Sequence, residues 1–104
     1  DSDVQPRVKR EYLEGKILER SNDRFFINLG RDDYLLAGEK FTVLKPVKAV
    51  SNEQGDTVGW VEDEIGTIEI RYIKGSHFSE AFLVNELEAI QAGWNIRPEL
   101  KSVE

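Results

Sequence analysis

Cysteine is absent from this chain, and its absence removes several chemistries at once. No disulfide framework, thiolate metal site, cysteine nucleophile or lipid-modified cysteine can exist within these residues. Histidine occurs once, as His77 between Ser76 and Phe78. A Ser-His-acid triad needs a serine held at a defined turn, and no Gly-x-Ser-x-Gly elbow is present. His77 is therefore expected to be exposed or to pin a loop. With one histidine, a metal site would have to be built from carboxylates. Asp32-Asp33 and Glu62-Asp63-Glu64 are adjacent rather than alternating, so their side chains diverge on a strand, and both read as solvated charge runs. There is no Gly-x-Gly-x-x-Gly or P-loop pattern to cradle a phosphate. No apolar run approaches the length of a membrane span.

Positive charge is also scarce. The formal net charge is −6, and nucleic-acid binding needs a concentrated basic face. The nearest approach to one, Arg7-Val8-Lys9-Arg10, is diluted at once by Glu11 and Glu14. These absences leave no residue to nominate as catalytic, cofactor-binding or metal-binding. The chain is expected not to be an enzyme, to carry no cofactor, and to bind neither nucleic acid nor the membrane interior.

What is present is a repeat. Leu35-Leu36-Ala37-Gly38-Glu39-Lys40-Phe41-Thr42-Val43 has an apolar lead-in, an Ala-Gly pair and a strand, and Ile90-Gln91-Ala92-Gly93-Trp94-Asn95-Ile96 follows the same order. Glycine accepts the positive φ that a sharp entry into a strand can require. Upstream of each Ala-Gly lies a strand start of one kind, Gly15-Lys16-Ile17 and then Gly66-Thr67-Ile68. The chain therefore reads as two related halves of one small barrel, and 104 residues leave room for a single domain.

Residues 1–11 are polar, contain Pro6, and read as a linker or arm; 12–98 form the domain and 99–104 a tail. The segment from Tyr12 to Arg20, the turn Ser21-Asn22-Asp23 and the segment Arg24 to Leu29 predict a hairpin, with Phe25, Ile27 and Leu29 on one face. Gly30 to Asp33 reads as a loop, followed by a single turn over Tyr34 to Leu36. Phe41 to Val50 is a long strand whose Pro46 belongs at an edge, a bulge or a bend. Ser51 to Asp56 is a turn, Thr57 to Val61 a short strand, and Glu62 to Glu64 a solvated corner. Ile65 to Lys74 alternates cleanly, with Ile68, Ile70 and Tyr72 on one face. Ala81 to Val84 is a further strand, Asn85 to Ala92 a helical turn, and Trp94 to Arg97 the last strand before Pro98. The class is all-β: six or seven strands in a closed or partly open barrel with pseudo-two-fold halves, since closure removes edges that short strands would expose.

Tryptophan in so small a domain is ordinarily core, and of the two here Trp60 is the candidate for an exposed contact. Arg31 and Tyr34, on a predicted loop, are the other candidate interface residues. Three readings of function stand side by side. A protein-interaction module would show a flat apolar patch or an unpaired strand. A small-ligand module would show an apolar pocket, formed by the loops before Gly38 and Gly93. A regulatory barrel cut from a larger protein is the third.

Gly15-Lys16-Ile17, Phe26-Ile27-Asn28-Leu29-Gly30, Gly38-Glu39-Lys40-Phe41-Thr42-Val43, the hairpin glycines Gly55 and Gly59, Gly66-Thr67-Ile68 and Ala92-Gly93 together carry a resemblance. From about Glu14 to Pro98 the chain resembles the C-terminal β-barrel domain of the bacterial flagellar assembly protein T family. Trp94 departs from that pattern, which has an acidic residue after the last glycine. The resemblance implies a non-enzymatic structural module, periplasmic or outer-membrane-associated, that works through protein partners in a ring-like envelope assembly. The chain begins at Asp1, so a processed form or a piece of a longer protein is expected.

Overall fold

The protein is described by a computed structural model over residues 13–99. The expected linker at 1–11 and all of the expected tail beyond Glu99 lie outside the described residues. Six antiparallel strands run β1 (Gly15–Ser21), β2 (Arg24–Ile27), β3 (Lys40–Ser51), β4 (Thr57–Gly75), β5 (Phe78–Glu86) and β6 (Asn95–Pro98). They close in the order β1-β2-β5-β4-β3-β6. Exchanging β1 with β4, β2 with β5 and β3 with β6 leaves every neighbour relation in that ring intact. The two halves expected from the repeat are thus present in the topology.

The repeated Ala-Gly stretches are matched bond for bond. The Gly38 N–H donates to the Ile70 carbonyl at 2.7 Å, and the Ile70 N–H returns to the Glu39 carbonyl at 2.8 Å. The Gly93 N–H donates to the Ile17 carbonyl at 2.7 Å, and the Ile17 N–H returns to the Trp94 carbonyl at 2.9 Å. Both glycines are left-handed, at φ +90° and +94°, where a β-carbon is strained and glycine is not.

Alternation decides the core. Phe25, Ile27 and Leu29 all face inward, joined by Ile17, Phe41, Val43, Ile68, Ile70, Ala81, Ile90 and Ile96. At the β1–β2 turn Ser21 pairs with Arg24, and Asn22 takes φ 57°, a conformation that asparagine tolerates. Trp94 is partly buried against the core.

Four local expectations need correction. The single turn lies over Arg31–Asp33 rather than Tyr34 to Leu36: the Asp33 carboxylate accepts the Gly30 N–H at 2.8 Å, and Tyr34 ends the turn in a left-handed conformation. Glu62 to Glu64 is no corner, because β4 runs unbroken from Thr57 to Gly75, with Glu64, Asp63 and Glu62 opposite Leu44, Lys45 and Pro46. Six strands result among the described residues, within the expected six or seven. Asn85 to Ala92 forms no helical turn; β5 continues to Glu86, whose Oε1 accepts the Ile90 N–H at 3.1 Å. Last, Tyr72 does not share the burial of Ile68 and Ile70, since a register irregularity falls between Ile70 and Tyr72 and turns the alternation outward.

Candidate functional site

The two longest strands outrun the barrel. β3 pairs with β6 over Phe41 to Leu44, and β4 pairs with β5 over Gly66 to Gly75. Beyond those limits, from Lys45 to Ser51 and from Thr57 to Glu64, the ladder of each strand among the described residues is to the other alone. The result is a two-stranded arm with two unpaired outer edges. The radius of gyration, 14.6 Å, exceeds the roughly 12–13 Å of a compact chain about this long, as a projecting arm requires.

Three features make the arm bendable and sharply bounded. Pro46 sits at an irregularity before Lys48, and a second irregularity lies between Val50 and Ser51. Pro46 comes after the last β3 residue paired with β6, where a missing N–H costs no sheet hydrogen bond on that side. At the tip, the Asn52 side-chain oxygen accepts the N–H groups of Gln54 at 2.9 Å and Asp56 at 3.0 Å, an Asx-type closure. The root is clasped: Glu62 accepts from Asn95 Nδ2 at 2.9 Å and from Arg97 Nη2 at 3.2 Å, while Lys45 reaches Glu88 at 2.8 Å. Glu62 is therefore a structural anchor and not part of a solvated run; Asp63 and Glu64 are exposed.

Trp60 stands opposite Ala49 on this arm and is 58% exposed, with Val58 on its own face and Val47, Val50 and Val61 also exposed along the arm. The edges differ. On β3 the free edge carries Lys45, Pro46 and Lys48, residues that discourage strand addition. On β4 the stretch Thr57-Val58-Gly59-Trp60-Val61 has neither charge nor proline.

Arg31 and Tyr34 are exposed but belong elsewhere. Their turn is tied to the β4–β5 connection by the Asp32 N–H to the Ser76 carbonyl, 3.0 Å, and by His77 Nδ1 on Asp33 Oδ2, 3.1 Å. His77 pins that loop pair, as expected for a lone histidine. Trp60 lies at the opposite end of β4, so the three candidates do not form one surface.

A second surface escaped the sequence reading. On the outer face of β2, β5 and β4, Phe26 stacks on Phe78 with ring centres 5.8 Å apart. Tyr72 meets Phe82 edge-on at 6.2 Å. Between them Glu80, its side chain 6% exposed, takes Arg24 at 3.2 Å and Lys74 at 3.6 Å. The Arg71 guanidinium lies 4.9 Å from the centre of the Phe82 ring, within cation–π range. No short motif marks this group, because its members come from three strands.

Concavities are minor. Three shallow clefts are open at the surface: one of about 420 Å³ by Thr42, Glu64, Gly66, Thr67, Asn85 and Leu87, one of about 310 Å³ by Leu44, Arg97 and Pro98, and one of about 290 Å³ by Gly38, Glu39, Lys40 and Glu99. Leu44, Pro98 and Leu87 are the larger apolar side chains among walls otherwise built of charged, hydroxyl and amide groups and glycine, where small-molecule sites are enclosed and predominantly apolar. Among the described residues no three His, Asp or Glu side chains cluster as metal ligands would, and no helix is long and apolar enough to cross a membrane. No protein-family model matches the chain, and no curated protein sequence matches it.

Proposed function

We propose that this barrel is a non-catalytic protein-interaction module that docks through its β3–β4 arm. One observation carries the reading: an arm whose two outer edges are unpaired among the described residues, with a 58% exposed tryptophan. A lone two-stranded ribbon is marginal in water, and an uncharged, proline-free edge invites an added strand. A partner strand laid along Thr57 to Val61 would satisfy the backbone groups of that edge, while Trp60 supplies the buried anchor from which interfaces draw much of their energy. The barrel's role is to hold the arm rigidly at its root through Glu62, Asn95 and Arg97.

The setting we propose is a bacterial cell-envelope assembly, periplasmic or outer-membrane-associated and ring-like in the manner of the flagellar assembly. This setting rests on the resemblance carried by Gly15-Lys16-Ile17, Gly38 to Val43 and Gly66-Thr67-Ile68. The test is co-purification from cells of the protein in which this domain occurs, with Trp60→Ala, Arg31→Ala and Tyr34→Ala compared. Trp60→Ala should reduce the recovered complex at least tenfold, as loss of a hot-spot residue does, with thermal stability unchanged. Recovery equal to the parent would remove the arm as the docking element.

A further inference from the structure

The open edge of β4 starts beside a cleft. Where β5 ends, the Leu87 N–H donates to the Ile65 carbonyl at 2.7 Å, and among the described residues the unpaired stretch begins at the next residue, Glu64. Leu87 is 83% exposed and, with Thr42, Glu64, Asn85 and Glu99, borders the cleft of about 420 Å³. Every β4 residue from Gly59 to Glu64 is paired in turn with β3, so Trp60, Glu62 and Glu64 share one face. A strand added in line with β5 therefore sets its first side chain beside Glu64, at this cleft, and its fifth beside Trp60.

Charge on the arm is one-sided. From Lys45 to Glu64 it holds two cations, Lys45 and Lys48, against five anions, Glu53, Asp56, Glu62, Asp63 and Glu64. At the root Arg97 is taken by Glu14 and Glu62, and Lys45 by Glu88. Lys40, which borders the neighbouring cleft with Glu39 and Glu99, leaves the excess negative. Asp63, Glu64 and Glu99 are exposed and form no ion pair among the described residues. These charges also disfavour a second copy on this edge. Antiparallel pairing of two β4 edges about Gly59 would set Asp56 opposite Glu62 at both ends, and like charges directly opposite destabilise a sheet.

We infer that the strand taken up by the arm belongs to a different protein and is basic at its leading end: Lys or Arg first, then alternating apolar residues. It runs antiparallel to β4, the more stable pairing. The aliphatic stem of its leading cation lies on Leu87 and the charge lies between the Glu64 and Glu99 carboxylates, while the apolar side chains further on cover Trp60. Backbone pairing supplies affinity, and the side-chain sites supply specificity. This rests on the proposed docking role of the arm and names the chemistry of what it binds.

The experiment is fluorescence anisotropy of labelled peptides titrated with the full chain at low and high salt. Three peptides share one alternating Val-Thr run and are led by two lysines, two glutamines or two glutamates. A fourth is the lysine peptide with the backbone nitrogens of its run methylated, which cannot pair as a strand. At low salt the lysine peptide should bind about tenfold or more tighter than the glutamate one, with glutamine between them, and salt should narrow the gap. Methylation should abolish binding. Glu64→Lys should favour the glutamate peptide, Glu99→Lys should narrow the lysine preference, and Trp60→Ala should weaken all three peptides alike. Four outcomes would overturn the inference: no peptide binding, a methylated peptide that binds like its parent, equal affinities for the three leads, or a lysine preference that survives in both Glu64→Lys and Glu99→Lys. Equal affinities that Trp60→Ala still abolishes would leave the arm as a docking element without charge preference. Loss of the cellular complex by Trp60→Ala with no peptide bound would leave it docking on something other than a basic strand.

Discussion

Arg20 and Glu86 meet as a fork, Nη1 on Oε1 at 2.9 Å and Nη2 on Oε2 at 3.3 Å. The pair ties β1 to the end of β5, with both side chains largely covered. Arg20 also donates to the Ile90 carbonyl at 3.0 Å, so one guanidinium holds the chain in the stretch where a helical turn was expected. Two-point pairing of this kind is stronger than a single charged hydrogen bond.

The first prediction concerns acid. The hydrogen bonds from Arg20, and then from the Ile90 N–H, hold the Glu86 carboxyl below its ordinary value near 4.5. A depressed carboxyl pKa stabilises the fold above that ordinary value, and the stabilisation is lost as pH falls through the lower, folded value. In urea melts, Glu86→Gln should therefore be less stable than the parent near neutrality, and the gap should close below about pH 4.5. A gap that stays constant into acid would show that the ionised form contributes nothing.

The second concerns the matched glycines. Gly38→Val and Gly93→Val should each cost about 1–3 kcal/mol, the cost of forcing a β-branched residue into left-handed backbone. No atom outside the immediate chain lies within 4 Å of a β-carbon at either site, so the loss is conformational and not steric. Gly59→Ala is the control: it is equally open and has no positive φ, and should stay within about 0.5 kcal/mol. Equal melting temperatures for all three would remove the turn role.

These glycines also show what the sequence made readable. A positive φ is a local demand, written in the residue that meets it, so the Ala-Gly repeat announced the two-fold strand order directly. Phe25, Ile27 and Leu29 were readable for the same reason, since alternation along one strand is local. The arm was not. It exists because β6 stops pairing at Leu44 and β5 stops at Gly66, facts set by distant strands. Glu62 looked solvated because Asn95 and Arg97, its partners, lie far along the chain. The aromatic face needed Phe26, Tyr72 and Phe82 to be brought together by pairing, so among interface residues only Trp60, Arg31 and Tyr34 stood out beforehand.

Ser79 supplies a third prediction. Its hydroxyl is fully buried and has no hydrogen-bond partner among the described residues, an arrangement that costs desolvation without return. Ser79→Ala should leave the fold intact and raise stability by about 1 kcal/mol, read as a higher denaturation midpoint. A fall of that size would mean that the hydroxyl is satisfied after all.

Metal titration gives a fourth. The carboxylates at Asp32-Asp33 and Glu62 to Glu64 do not converge: Asp33 holds the Gly30 N–H and His77, and Glu62 holds Asn95 and Arg97. Calorimetric titrations with calcium, magnesium and zinc should be flat. A stoichiometric site of micromolar affinity would overturn this.

The last prediction separates folding from docking. Among the described residues, the arm from Val47 to Val61 places no side chain in the hydrophobic core, and its strands pair only with each other. Replacing Val47 to Val61 with Asn-Gly would join Pro46 directly to its partner Glu62 through a two-residue turn suited to antiparallel strands. The barrel strands, the Glu62 clasp with Asn95 and Arg97, and both Ala-Gly turns would remain. Because a two-stranded ribbon is itself marginal and a shorter connection lowers loop-closure entropy slightly, the denaturation free energy should stay within about 1 kcal/mol of the parent. The same variant should lose the cellular complex as completely as Trp60→Ala does. A protein that unfolds without the arm would make the arm a structural part of the barrel. One that folds and still recruits its partners would place the docking surface somewhere else.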